Sequence, residues 1–178
     1  GIEEMIMGTR IAKAFKHVFA SSFYYNDGIA EKPATAINYT NKTQHLFRIN
    51  KGIFNYYENK KINQHTPHEG KYIQFSNMIY IGDGETDVPC MKMVMYQGGH
   101  AIAVYNPLKE NSRDTALELF DHKRTNFIAP TDYSKGSEIE NIVKLIVDKI
   151  DTQSKCSDIK NKTKKELEEY KRKMLCHI

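Results

Sequence analysis

Met78-Ile79-Tyr80-Ile81, an unbroken apolar run stopped by Gly82, constrains the fold more than any other stretch of this chain. Its polarity does not alternate, so the run reads as a strand buried on both faces, as in a parallel sheet. A helix is expected next, from Thr86 or Asp87 to Gln97. Pro89 falls in its first turn, where a missing N–H does no harm, and Gly98-Gly99 ends it. His100-Ala101-Ile102-Ala103-Val104 is a second buried strand, and Asn106-Pro107 turns the chain outward. A short helix over Ser112 to Asp121 and a strand over Asn126 to Ala129 follow. Ser137-x-x-Glu140 is a capping box that opens a helix carrying Ile139, Ile142, Val143, Ile146 and Ile150. Strands alternating with helices in this order predict an α/β fold with a Rossmann-like, doubly wound parallel sheet.

The flanking segments are less regular. Residues 1–17 carry Ile2, Met5, Ile6, Ile11, Ala14 and Phe15 at helical spacing, with Gly8 interrupting. His17 to Tyr24 reads as a strand, Asn26-Asp27-Gly28 as a turn, and Ile29 to Asn38 as the return arm, with Pro33 favouring an edge position. A helix is expected from Lys42, with Leu46, Phe47, Ile49 and Ile53 on its apolar face, and a polar loop from Glu58 to Gly70. Residues 151–178 differ in kind. They hold eight basic and five acidic side chains, with a narrow stripe of Ile159, Leu167, Tyr170 and Met174. This divides the chain into a core over 1–150 and a charged helical extension over 151–178, expected to dock by one face.

Composition removes several classes of function. With 178 residues, 40% hydrophobic and 27% charged, the chain is neither a disordered tail nor a membrane-embedded protein. No apolar run is long enough for a transmembrane helix, and the acidic N-terminal stretch Gly1 to Met5 does not resemble a signal peptide. Cys90, Cys156 and Cys176 form no disulfide framework, and a reducing cytoplasm is the expected compartment. A net charge of +4 and a pI near 8.8 suit a phosphate-bearing small molecule. They give no basic stripe for nucleic acid.

Chemistry concentrates at Ile79 to Lys92. Ligands of open parallel sheets bind beyond the carboxyl ends of strands. Asp83 lies there between Gly82 and Gly84, with Asp87 at the start of the next helix. Two carboxylates so placed can supply oxygen ligands to Mg²⁺. They can equally serve as a turn residue and an N-cap, and the residues alone leave both readings open. Cys90 near a helix N-terminus lacks an orienting His and reads as packed. The histidines, His65 and His68 among them, lack metal spacing, and Asp132-Tyr133-Ser134 reads as a turn.

The string Gly82-Asp83-Gly84-x-Thr86-Asp87-x-Pro89-x-Met91-Lys92 resembles the fourth signature motif of the haloacid dehalogenase-like hydrolases, in their phosphoserine-phosphatase-like branch. Gly98 to Pro107 is similar to the strand that follows it. The resemblance implies a Mg²⁺-dependent phosphomonoester hydrolase in which Asp83 ligates the ion and Asp87 supports it and its waters. It implies a catalytic, phosphate-binding lysine at the start of an upstream helix. Lys42 fits this best, with Lys51 the rival. Gly1, placed just after the family's second motif, and Gly84 are implied at the phosphate. The family's first motif, Asp-x-Asp-x-Thr, which supplies the nucleophile, has no counterpart: no two aspartates here lie two residues apart. The expectation is therefore a portion of the family's core that begins after the second motif. By itself it is inactive, and its sheet is completed by a missing N-terminal segment or another chain. The alternative is a non-catalytic module of the same fold that binds phosphate or a protein.

Overall fold

The computed structural model describes residues 1–67 and 70–175; His68, Cys176 and His177 lie outside the described residues. The chain is mixed α/β, with a three-stranded parallel sheet flanked by helices. Its strands are β3 (Ile79–Gly82), β4 (His100–Tyr105) and β5 (Phe127–Pro130), in the order β3-β4-β5. Between them come α4 (Val88–Tyr96) and α5 (Ser112–Asp121), and α6 (Glu138–Leu175) follows β5. Two compact units make up the chain, Gly1–Ala101 and Ile102–Ile178.

In the first unit, α1 (Ile2–Met7) and a short 3-10 turn at Ala12–Ala14 replace the one or two helices expected up to residue 17. The strand expected over 17–24 starts later. β1 (Ser22–Asn26) pairs antiparallel with β2 (Ile29–Thr35). The turn sets this register. Asp27 and Gly28 both adopt positive φ, 48° and 79°, as a two-residue hairpin turn requires, so the pairing residues are those beside it. His17 and Phe19 instead join a ring cluster, with centroids 4.3 Å apart.

α2 (Lys42–Lys51) ends on Gly52, whose φ of 69° lies in the left-handed region, and Ile53 N–H closes back onto the Arg48 carbonyl at 2.9 Å. That closure places Ile53 beyond the helix. Within the polar stretch after it lies one short turn of helix, α3 (Asn59–Ile62). Phe75, Met78 and Val94 form the buried centre of this unit, with Leu46, Ile49, Ile73, Tyr80 and Met93 packed against it.

In the second unit β4 pairs parallel with β5, Ile102 opposite Phe127 through Tyr105 opposite Pro130. Ile102, Ala103, Val104, Ala116, Leu119, Ala129, Ile139 and Ile146 are buried. Ser137 Oγ accepts the Glu140 N–H at 3.3 Å, and the Glu140 carboxylate accepts the Gly136 N–H. The residues expected as a separate extension continue α6 without a break to Leu175. From residue 151 onward every described position is exposed, Ile159, Leu167, Tyr170 and Met174 included. The narrow stripe is covered by no described residue, and i,i+4 pairs such as Lys155–Asp151 at 2.6 Å support the helix instead.

Candidate functional site

Three local structures converge within the first unit. Asn41 precedes α2, accepting the Asn38 N–H at 2.8 Å and donating to the Ala36 carbonyl at 2.8 Å, and so fixes where Lys42 starts the helix. β3 carries Tyr80 and ends at Gly82-Asp83. A 3-10 turn, Glu85–Asp87, then leads into α4. Asp87 stands at the N-cap of α4 but makes no capping hydrogen bond through its side chain. Its carboxylate is engaged elsewhere.

Asp87 Oδ1 accepts Lys42 Nζ at 2.7 Å and the Tyr80 hydroxyl at 2.6 Å, while Oδ2 accepts the Asp83 N–H at 3.2 Å. The Asp87 side chain is 6% exposed and that of Lys42 32%. Gly82 makes room for the group: a Cβ there would lie 2.6 Å from Asp87 Oδ2 and 2.7 Å from its Cβ, closer than real atoms approach. Burial pushes the Asp87 carboxyl up. The Lys42 hydrogen bond and charge, the Tyr80 hydroxyl and the Asp83 N–H outweigh burial and hold it below the usual carboxylate range. Burial first, and then the hydrogen bond to Asp87, push the Tyr80 hydroxyl far above its ordinary value, so it remains a donor. Cys90 is buried, and burial pushes its thiol up too, as befits a packed cysteine rather than a nucleophile.

Lys42 and Tyr80 also border a cavity of about 460 Å³, whose walls include Phe19, His45, Leu46 and Phe54. His45 is 8% exposed, and no described residue partners its Nδ1. Burial and then the Arg48 charge lower its pKa, so the ring is held neutral.

The residues singled out in the sequence are thus only partly gathered. Lys42, Asp87 and the Asp83 backbone meet. The Asp83 side chain is exposed, and Gly84 has open space where a Cβ would sit. Lys51 is committed to the Ile62 carbonyl and, at 2.6 Å, to that of Gln64. Gly1 borders a different hollow, with Ile2, Phe19, Ala20, Ser21, Phe23 and Ile37. Asp132 Oδ1 accepts the Ser134 N–H at 2.9 Å, a turn contact. Tyr80 belongs to the cluster although sequence assigns it no role. Tyr80 was hidden in an apolar run, and its one signal is a hydroxyl placed seven residues before an acid.

Mg²⁺ retains several waters and asks a protein for one or two carboxylates. Asp83, exposed beside an open glycine, fits that demand. Asp87, 6% exposed and taking three hydrogen bonds from Lys42, Tyr80 and Asp83, is placed to hold its neighbours rather than open toward an ion. Among the described residues no group of three His, Cys, Asp or Glu side chains gathers as a metal cage.

No family model and no solved structure matches this chain. It is similar to an uncharacterized protein of Borreliella burgdorferi, 27% identical over 159 residues that cover 79% of this chain and 53% of that protein. The chain spans about half the length of this relative.

Proposed function

We propose that these residues form the Mg²⁺- and phosphate-binding part of a cytoplasmic phosphomonoester hydrolase of the haloacid dehalogenase-like type, built on a Rossmann-like doubly wound sheet. One observation carries the reading. A lysine from the start of α2, an aspartate at the start of α4 and the backbone of an aspartate just past β3 meet at one point, with Lys42 on Asp87 at 2.7 Å and Asp87 on the Asp83 N–H at 3.2 Å. In this reading Asp83 offers its carboxylate to the ion. Asp87 acts as a positioning residue, fixing both the Asp83 loop and the Lys42 ammonium. Lys42, about a third exposed, directs positive charge toward a phosphoryl group bound beside it. Gly84 lets the substrate's phosphate approach the backbone closely. The ion, when bound, neutralises phosphoryl oxygens. The attacking carboxylate comes from outside these 178 residues, since no Asp-x-Asp pair lies within them. The substrate is a phosphorylated small molecule.

A second reading, a binding module without chemistry, draws on the way the Lys42–Asp87 pair is already satisfied without a ligand. Titration calorimetry with MgCl₂ is the first test. Measurable Mg²⁺ affinity that disappears in Asp83→Asn is the expected result, and release of p-nitrophenol from its phosphate ester by the polypeptide of the whole reading frame, not by the 178 residues alone, then distinguishes hydrolase from module. Mg²⁺ affinity that is absent, or unchanged in Asp83→Asn, overturns the hydrolase reading.

A further inference from the structure

From residue 151 to Leu175, α6 is exposed at every position. Helices in proteins draw most of their stability from an apolar face that packs on something, and this one carries such a face. Cys156, Ile159 and Thr163 recur eleven residues later as Leu167, Tyr170 and Met174. At about 100° per residue these positions fall on one narrow stripe, and an 11-residue repeat keeps it nearly straight along the helix. More than half of Ile159, Leu167, Tyr170 and Met174 faces solvent. A stripe this narrow is the seam of a helix pair. The face of a helix folded onto a core, or laid on a bilayer, is wider.

Charge is sorted around this seam. One border carries Lys160, Lys164 and Lys171, and the other carries Lys155, Lys162 and Lys173 around Glu166. Asp151, Asp158, Glu168 and Glu169 lie on the opposite half of the helix. Lys155 already meets Asp151 at 2.6 Å, so an incoming negative charge is drawn chiefly to the border of Lys160, Lys164 and Lys171. Two copies of α6 would set lysine borders against each other in parallel and antiparallel order alike, which opposes self-pairing. We infer that residues 156–174 pair with one amphipathic helix of another protein, whose apolar seam is bordered by aspartate and glutamate. The apolar seam supplies the affinity, and the acidic borders select this partner over basic ones. Pairing of this kind does not depend on phosphatase chemistry.

Fluorescence anisotropy with three labelled peptides tests this pairing, each about 22 residues long to span two repeats. The first has leucines on the stripe and glutamates on both borders. The second has lysines on the borders, and the third keeps the first one's composition with its leucines scattered off the stripe. The 178-residue chain should bind the first peptide roughly tenfold more tightly than either of the others. Reversing one border, Lys160→Glu with Lys164→Glu and Lys171→Glu, should erase the preference for glutamate over lysine. Leu167→Gln with Tyr170→Gln should abolish binding and leave the melting temperature in place, because both side chains are exposed. Each of the following overturns the assignment: no binding of the first peptide, or binding no tighter than that of the second; binding that survives Leu167→Gln with Tyr170→Gln; a dimer of the chain that this pair of substitutions dissolves; phosphatidylglycerol vesicles bound through the same two residues in place of the peptide; or a first peptide bound by the 178-residue chain but not by the polypeptide of the whole reading frame.

Discussion

Asp87 illustrates how one buried carboxylate organises its neighbours. Three donors from three segments converge on two oxygens, and removing one leaves charge without compensation in a poorly solvated place. Lys42→Met keeps the stem's packing and deletes the ammonium. Because the ammonium is about a third exposed, solvent screens part of the pair, and a loss of about 1–2 kcal/mol is expected at neutral pH. The deficit should shrink as pH falls and Asp87 protonates in the variant. Urea unfolding at pH 7 and pH 4 measures both numbers, and an equal loss at the two values sinks the account. That Lys42 pairs with Asp87 was not foreseen; Lys42 was legible only through the resemblance, which implies a lysine at a helix start, and Asp87 because it follows a buried strand and opens a helix. Tyr80 was not, since a tyrosine within Met-Ile-Tyr-Ile has the same signature as any core aromatic until its hydroxyl is placed.

Elements were legible where local signals agreed. α5 occupies Ser112–Asp121 as the pattern predicts, and the capping box at Ser137 opens α6. They were misjudged where tertiary geometry decided. His17 to Ala20 have strand composition but spend it on aromatic contacts, and the left-handed closure at Gly52 excludes Ile53 from α2. The long reach of α6 was divided in sequence at residue 150, because core-facing apolar spacing stops there, although helix propensity and ion pairs carry on. Its start is the better test of this logic. Ser137→Ala removes the acceptor for the Glu140 N–H and should cost about 1 kcal/mol, read as a lower urea midpoint with an unchanged m-value. Ser137→Asp, which can cap, should restore most of it. A Ser137→Ala protein as stable as the parent means that the Gly136–Glu140 bond alone holds this end.

For the whole molecule, buried His45, Asp87 and Cys90 and half-buried Tyr80 bound the pH range of stability, and the sign of each is fixed by its shift. His45 has a folded pKa below its usual 6.5, so the unfolded chain binds the proton first and stability falls as pH drops below about 6.5. Among the described residues, nothing facing the ring relieves this. Arg48 adds positive charge, and Phe19 and Tyr56 contribute only ring faces, 5.1 and 5.8 Å away. Asp87, lowered from 3.8, contributes stability that is full above that value and is lost as pH falls through the lower folded value. Tyr80 acts at the other end. Its raised pKa means that the unfolded chain releases its proton near 10 while the folded one keeps it, so stability declines as pH climbs past that point. The expected profile is a plateau between about pH 7 and 9, an acid descent in two steps, and an alkaline descent. His45→Phe should erase the first acid step, and Tyr80→Phe should reduce the alkaline one, the buried Cys90 thiol, also raised, keeping the remainder. Denaturant midpoints collected from pH 3 to 11 check this, and a first acid step that survives His45→Phe assigns it to another group.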